Sequence, residues 1–200
     1  MQPVRRPLFP SRSEMLTITH LGMDSPRRDE VESFIQQAFL QRYAARINYF
    51  APNLLLLEKG TRKIAAAGWR GADSGRLFLE SYLDSPIEQT IRRLTGRDIP
   101  RERIVEVGNL ASIKPGGSLN IIGTLALHLD GLGYEWVTFT ATRELIGIFS
   151  RIGLPLLALR QADPACLRDQ AGQWGDYYDQ EPVVVAGRIR LALERMGKPA

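Results

Sequence analysis

One cysteine, Cys166, and two histidines, His20 and His128, are all that the 200 residues offer of the softer metal-ligating side chains. A lone cysteine rules out an intramolecular disulfide framework and fits a reducing compartment. The three residues lie far apart in sequence and supply no metal-ligand cluster. No apolar run approaches the roughly 18 residues that span a bilayer, so no integral membrane segment is expected. The opening segment carries Pro3, Pro7 and Pro10 where a secretory leader needs an apolar stretch, which predicts a soluble, cytoplasmic chain. The nucleophile elbow G-x-S-x-G, the Walker loop and the dinucleotide-binding glycine fingerprint are all missing.

A hydrophobic fraction of 44% with 24% charged residues is that of a globular protein, not a disordered one. The net charge of +4 is modest. Part of it lies in Arg5, Arg6 and Arg12, within residues 1–13, which read as a flexible basic arm ahead of one domain over 14–200. A second cluster, Arg92, Arg93, Arg97, Arg101 and Arg103, is leavened by Asp98 and Glu102. It is either a solvated face or a patch that steers an acidic partner. No nucleic-acid-binding signature accompanies it.

The pattern predicts a first strand over Met15–His20, then a helix opened by Ser25-Pro26 with Val31, Phe34, Ile35, Ala38 and Phe39 on one face. Asn53–Glu58 and Lys63–Trp69 flank Gly60-Thr61 as a hairpin, and Gly75–Leu83 reads as a further strand. Ser85-Pro86-Ile87-Glu88 has the form of a capping box that opens a helix ending near Gly96. A strand over Ile104–Ala111 leads through Lys114-Pro-Gly-Gly-Ser118 into an apolar helix carrying Leu119, Ile122, Leu125, Ala126 and Leu129. That helix is stopped by Gly131 and Gly133. Tyr134–Ala141 is a strand, Thr142 caps a helix with Leu145, Ile148, Phe149 and Ile152 buried, and a last strand runs through Leu159. Strands alternating with helices from 104 to 159 call for partly parallel pairing with helices on both faces. The hairpin before them makes the sheet mixed.

The chemistry concentrates between Ile104 and Leu132. Strict alternation puts Ile104, Glu106, Gly108 and Leu110 on one face, and Val105, Val107, Asn109 and Ala111 on the other. Glu106 and Asn109 are polar groups in an apolar strand. A desolvated carboxylate has a raised pKa and suits a general base; the alternative is a structural pair with a nearby arginine, and the residues alone leave both open. The loop at Lys114, Gly116, Gly117 and Ser118 opens on a helix N-terminus, a weak phosphate-binding signal. His128 reads as a helix-surface or core residue, and Cys166, in a polar loop with no histidine nearby in sequence, as no nucleophile.

The strings Phe78–Asp84 with Pro86–Glu88, Val105–Ala111, Trp136–Thr142 and Trp174–Asp179 resemble the thermostable hemolysin family over about residues 30–190. That family is similar to the acyl-homoserine-lactone synthases and N-acyl amino acid synthases of the GNAT superfamily. The resemblance implies an α/β fold with a mixed, partly parallel sheet that splays into a V between two parallel strands, here Ile104–Ala111 and Tyr134–Ala141. It implies no permanently bound cofactor, but an acyl-phosphopantetheine co-substrate, on an acyl carrier protein or as acyl-CoA. Val107 and Leu110 would hold the pantetheine by their backbone, and Lys114, Gly116, Gly117 and Ser118 the phosphate. Two departures stand out. The adjacent glycines suit a single carrier phosphate better than a coenzyme A pyrophosphate. In Glu106-Val-Gly-Asn109, asparagine stands where the lactone synthases have arginine.

The implied activity is transfer of a fatty acyl group to a small amine. Glu106 would be the base and Asn109 would orient the acceptor. Thr138, Thr140, Arg143, Trp174, Tyr177 and Tyr178 would shape the substrate pocket, and the arginine cluster would dock an acidic acyl carrier protein. The alternatives are a membrane-damaging effector, as the family name suggests, and a non-catalytic acyl-thioester sensor. A pore-former calls for an export signal and amphipathic hairpins or a long apolar segment, neither of which is visible.

Overall fold

The structure, a computed structural model, describes residues 15–113 and 118–197, without the side chains of residues 118–120. The basic arm over 1–13 and the loop residues Lys114, Gly116 and Gly117 lie outside the described residues. In chain order the elements are β1 (Leu16–Leu21), α1 (Arg28–Tyr43), β2 (Asn53–Lys59), β3 (Arg62–Gly71), α2 (Ile87–Thr95) and β4 (Ile104–Ser112). They continue with α3 (Ser118–Gly131), β5 (Trp136–Ala141), α4 (Arg143–Arg151), β6 (Leu157–Gln161), β7 (Val183–Arg188) and α5 (Ile189–Met196). The described strands form one sheet in the order β1-β2-β3-β4-β5-β7-β6. Only β4 and β5 pair in parallel; the other neighbours are antiparallel.

Both faces are covered, so β2 reads as an unbroken apolar run and not as an alternation. Leu54 and Leu56 pack with Val31, Ile35 and Phe39 of α1, while Leu55 and Leu57 pack with Ile121, Leu125 and Leu129 of α3. All four leucines are essentially inaccessible to water, each contributing about 2 kcal/mol. One face carries α1, α2 and the segments 72–83 and 164–180; the other carries α3, α4 and α5.

Several boundaries differ from the sequence reading. Residues 75–83 form no strand. They make short 3-10 turns at Ala72–Ser74 and Phe78–Ser81, because two carboxylates claim the backbone N–H groups a strand would offer. Leu77 N–H donates to Glu80, and Phe78 and Leu79 N–H donate to Glu106. Nor does the Ser85–Glu88 box cap α2. Pro86 is the N-cap, the Ile87 N–H donates to Glu80 and Glu88 turns to Arg101. The helix after Ser25-Pro26 begins only at Arg28. β7 and α5 were not expected, and β7 inserts between β5 and β6.

β4 contains a bulge. Gly68 of β3 pairs with Gly108 and Ala66 with Ala111, so Ala67 alone faces both Asn109 and Leu110. Asn109 takes up the extra residue in the left-handed region, φ 51°, where asparagine is among the best-tolerated non-glycine residues. Its amide is held at both ends: Oδ1 accepts from Ala51 N–H at 2.9 Å and Nδ2 donates to the Tyr49 carbonyl at 3.1 Å. The bulge overturns the expected alternation. Leu110 packs with Val105 and Val107, whereas Ala111 joins the α1 side.

Gly68 lies against this lock. A Cβ there would stand 2.8 Å from both Ala51 Cβ and Asn109 Oδ1, so Gly68→Ala should destabilise the fold by about 1–3 kcal/mol in urea unfolding. Glu80 offers a second test. Burial pushes its carboxyl up, but Arg101 and the Ile87 and Leu77 N–H groups outweigh it and hold it below the ordinary carboxylate value. A depressed native pKa adds stability that is complete above the unfolded-state value and fades as pH falls through the native one. Glu80→Gln should therefore cost on the order of 3 kcal/mol at neutral pH and flatten the acid limb of a urea-unfolding series.

Candidate active site

β4 and β5 keep their parallel register at Ile104↔Trp136, Val105↔Val137 and Glu106↔Thr138, and pair no further. Beyond that point β4 stays bonded to β3 through the bulge, while β5 stays bonded to β7 as far as Ala141↔Val183. The strands part, and a cleft of about 800 Å³ opens between them. It reaches both faces of the sheet. On the Glu106 side its walls are Phe34, Phe39 and Tyr43 of α1, with Phe78, Tyr82, Trp174 and Tyr177. On the other side they are Ile122, Leu125 and Leu129 of α3, Phe149 of α4, and Ile189 and Ala192 of α5. An ion pair between Arg42 of α1 and Glu144 of α4 joins the two faces at the cleft wall.

Glu106 is the buried carboxylate in this wall, 9% exposed. Burial raises its pKa, against the opposing pull of the Leu79 and Phe78 N–H groups and of the more remote Arg70. Those bonds, 2.8 and 2.9 Å long, occupy one lone pair on each oxygen. The anchoring partner is therefore the backbone of the 78–79 turn, not an arginine.

The aromatic wall is built on one tight contact. Gly175 has φ 48°, and a Cβ there would lie 2.1 Å from the Tyr43 carbonyl oxygen, so only glycine lets segment 164–180 dock on the end of α1. That docking sets Trp174 against Phe39 at 6.2 Å and Tyr177 against Tyr43 at 5.2 Å. Tyr82 and Tyr178 share a hydrogen bond of 2.5 Å. Burial raises the phenols of Tyr82 and Tyr177, and pushes Tyr178 up to about 12.

Of the residues singled out from the sequence, Glu106, Val107, Asn109, Leu110, Thr140, Trp174 and Tyr177 line the cleft. The Asn109 amide is committed to the 49–51 segment. Thr138 is fully buried and donates to the Val185 carbonyl at 2.9 Å, Arg143 forms a surface pair with Glu181, and Tyr178 backs the wall through Tyr82. Ser118 opens α3. Phe78, Tyr82, Tyr43 and the α5 wall were assigned no site role, although Phe78 and Tyr82 stand within one of the strings that carried the resemblance.

His128 sits on α3 against His20 and Trp69, away from Glu106 and not in the cleft wall. Cys166 is exposed. Among the described residues no cluster could hold a metal, and no helix is long and apolar enough to cross a membrane.

No curated protein matches the sequence. Solved structures do match the fold. The acyl-homoserine-lactone synthase LasI superposes with a TM-score of 0.60 at 10% identity, over 88% of this chain and 91% of that one. FeeM, an N-acyl amino acid synthase from uncultured soil microbes, gives 0.56 at 11% identity, over 88% and 93%. BjaI, a CoA-dependent acyl-homoserine lactone synthase solved with SAM and isopentyl-CoA, gives 0.56 at 13%, over 93% and 92%. At these identities the likeness is one of fold, a mixed sheet splayed between two parallel strands. The sequence itself matches the family model for thermostable hemolysin over residues 21–193, and the chain belongs to that family.

Proposed function

We propose that this protein is an N-acyltransferase that moves a fatty acyl group from an acyl-carrier-protein or acyl-CoA thioester to an amine. The observation that carries the reading is a buried carboxylate of raised pKa at the point where β4 and β5 part into a largely apolar cleft. Backbone groups on the inner edges of the parted strands suit the amides of a pantetheine arm, and the apolar walls suit an acyl chain. The fold neighbours LasI, an acyl-homoserine-lactone synthase, and FeeM, an N-acyl amino acid synthase, support the same class.

In the proposed reaction the amine nitrogen attacks the thioester carbonyl carbon. The C–N bond forms, the C–S bond breaks, and Glu106 takes the amine proton, directly or through a water, to be passed to the departing thiolate. Backbone N–H groups within Val107–Leu110 would face the developing oxyanion. The amide and the free thiol are the products. A carrier-protein donor would meet a smaller basic surface than the sequence suggested. Arg101 is drawn into the fold by Glu80 and Glu88, while Arg92 and Arg103 pair with Asp98 and Glu135.

Intact mass spectrometry of carriers bearing acyl chains of several lengths, incubated with the protein and an amine pool, tests the reading. Loss of the acyl group to a new amide is expected. Glu106→Gln should slow it by about 100- to 10,000-fold. Because the native carboxyl sits above the ordinary carboxylate range, the wild-type rate should rise with pH through that raised value and level off above it. Carriers that stay acylated in every mixture, while the pure protein makes liposomes leak, would replace this reading with the membrane-damaging one.

A further inference from the structure

β3 places a second charged side chain beside Glu106. Arg70 and Glu106 are register partners across the β3–β4 ladder, so their side chains leave the same face of the sheet. Among the described residues no carboxylate lies within ion-pair distance of Arg70. Its Nη1 makes one long contact, 3.4 Å to the Arg76 carbonyl, and its Nε is buried with no acceptor. Glu106 does not answer it, since the carboxylate is anchored to the Phe78 and Leu79 N–H groups. An unmet N–H on a half-buried guanidinium is costly, and a planar fork of donors matches a carboxylate in two-point contact.

The surroundings suit a small acceptor. The Tyr49 ring stacks on Phe78 at 5.4 Å, and Phe78 packs on Trp174 at 5.7 Å, next to Glu106. Tyr49 is 38% exposed, so the spot opens on solvent. Burial raises both the Tyr49 phenol and the Glu106 carboxyl, and the Arg70 charge pulls each back, which places the cation within electrostatic reach of both. Two other cations near the cleft are paired, Arg42 with Glu144 and Arg143 with Glu181.

We propose that Arg70 binds the carboxylate of the acceptor, so that the amine acylated here belongs to an amino acid or a similar amino carboxylate. Its nitrogen faces Glu106, its carboxylate spans the Arg70 fork, and its side chain rests against Tyr49 and Phe78. The inference rests on the acyltransferase reading of the adjoining cleft, whose lining includes Glu106 and Phe78 but not Arg70 or Tyr49.

The test pairs each of the common α-amino acids with the amine that lacks its carboxylate. Both sets are offered with an acylated carrier, and binding is read separately by saturation-transfer NMR without donor. Wild type should favour the amino carboxylates in both readouts. Arg70→Gln should raise their KM by about 10- to 100-fold, while kcat on the high-pH plateau, where Glu106 is ionised in both proteins, the KM for the decarboxylated amines and the thermal midpoint stay near wild type. Arg70→Lys, which keeps the charge but not the fork, should fall between. Equal use of both sets by wild type, or an Arg70→Gln loss shared equally by both, overturns the assignment. If no acyl group moves but saturation transfer is selective for amino carboxylates and vanishes in Arg70→Gln, the Arg70 site stands and the acyltransferase reading falls. Absence of saturation transfer and of acylation with both sets overturns the Arg70 assignment.

Discussion

Two parallel strands joined by a full ladder lie about 4.8 Å apart, and nothing can pass between them. β4 and β5 escape this constraint because each keeps a partner on its outer side. Past Glu106, β4 remains on β3 and β5 remains on β7, so only the inner edges lose their ladder. The one extra residue at Asn109 bends β4 away, and the Asn109 amide, bonded to residues 49 and 51, holds the bend. A bulged strand with its kink pinned from both ends of one side chain is stiff. The cleft is thus part of the fold's resting geometry, and the backbone groups on its inner edges are left facing a ligand space.

Two carboxylates fastened to one short segment have opposite electrostatics, and the difference comes from their donors. Glu80 is held by a guanidinium as well as by backbone N–H groups, and its carboxyl is drawn down. Glu106 is held by backbone N–H groups alone, with Arg70 acting only at longer range, and burial prevails. Neutral donors orient a carboxylate without fully offsetting its desolvation. The segment 72–83 is therefore fastened by one carboxyl held below its ordinary value, Glu80, and by one on the adjacent strand raised above it, Glu106. Environments that push two acids apart in this way separate a structural role from a chemical one.

Much of this was legible before the fold was known. The hairpin about Gly60-Thr61, the Thr142 cap of α4, the strand from Ile104 and the helix that ends at Gly131 follow from local turn chemistry and periodicity, and the structure has them. Glu106 stood out because a carboxylate in an apolar strand needs an explanation. What was not legible depended on distant residues. The Gly75–Leu83 stretch resembles a strand until Glu106, some 27 positions on, takes the Leu79 N–H. The parity of Asn109, Leu110 and Ala111 could not be read from alternation, since one left-handed residue reverses it. β7 had a local signal in the β-branched run Val183–Val185, but its place between β5 and β6 is a property of topology.

The cleft crosses the sheet, and its two ends differ in chemistry. Toward α3, α4 and α5 the wall is aliphatic, with Phe149 the aromatic exception among the residues named. Toward α1 it is aromatic and carries Glu106, with the phenols of Tyr82 and Tyr178 behind it. A flexible hydrocarbon gains most from the aliphatic end, where burial is non-directional. A small polar acceptor would meet a wall of flat rings and a buried carboxylate on the α1 side. There β3 and β4 are still in register at Arg70 and Glu106, before the bulge at Asn109. The bulge lies three residues beyond Glu106, with Val107 and Gly108 still in register with Trp69 and Gly68, so the pair that would receive the acceptor is fixed on the regular ladder before the strand bends.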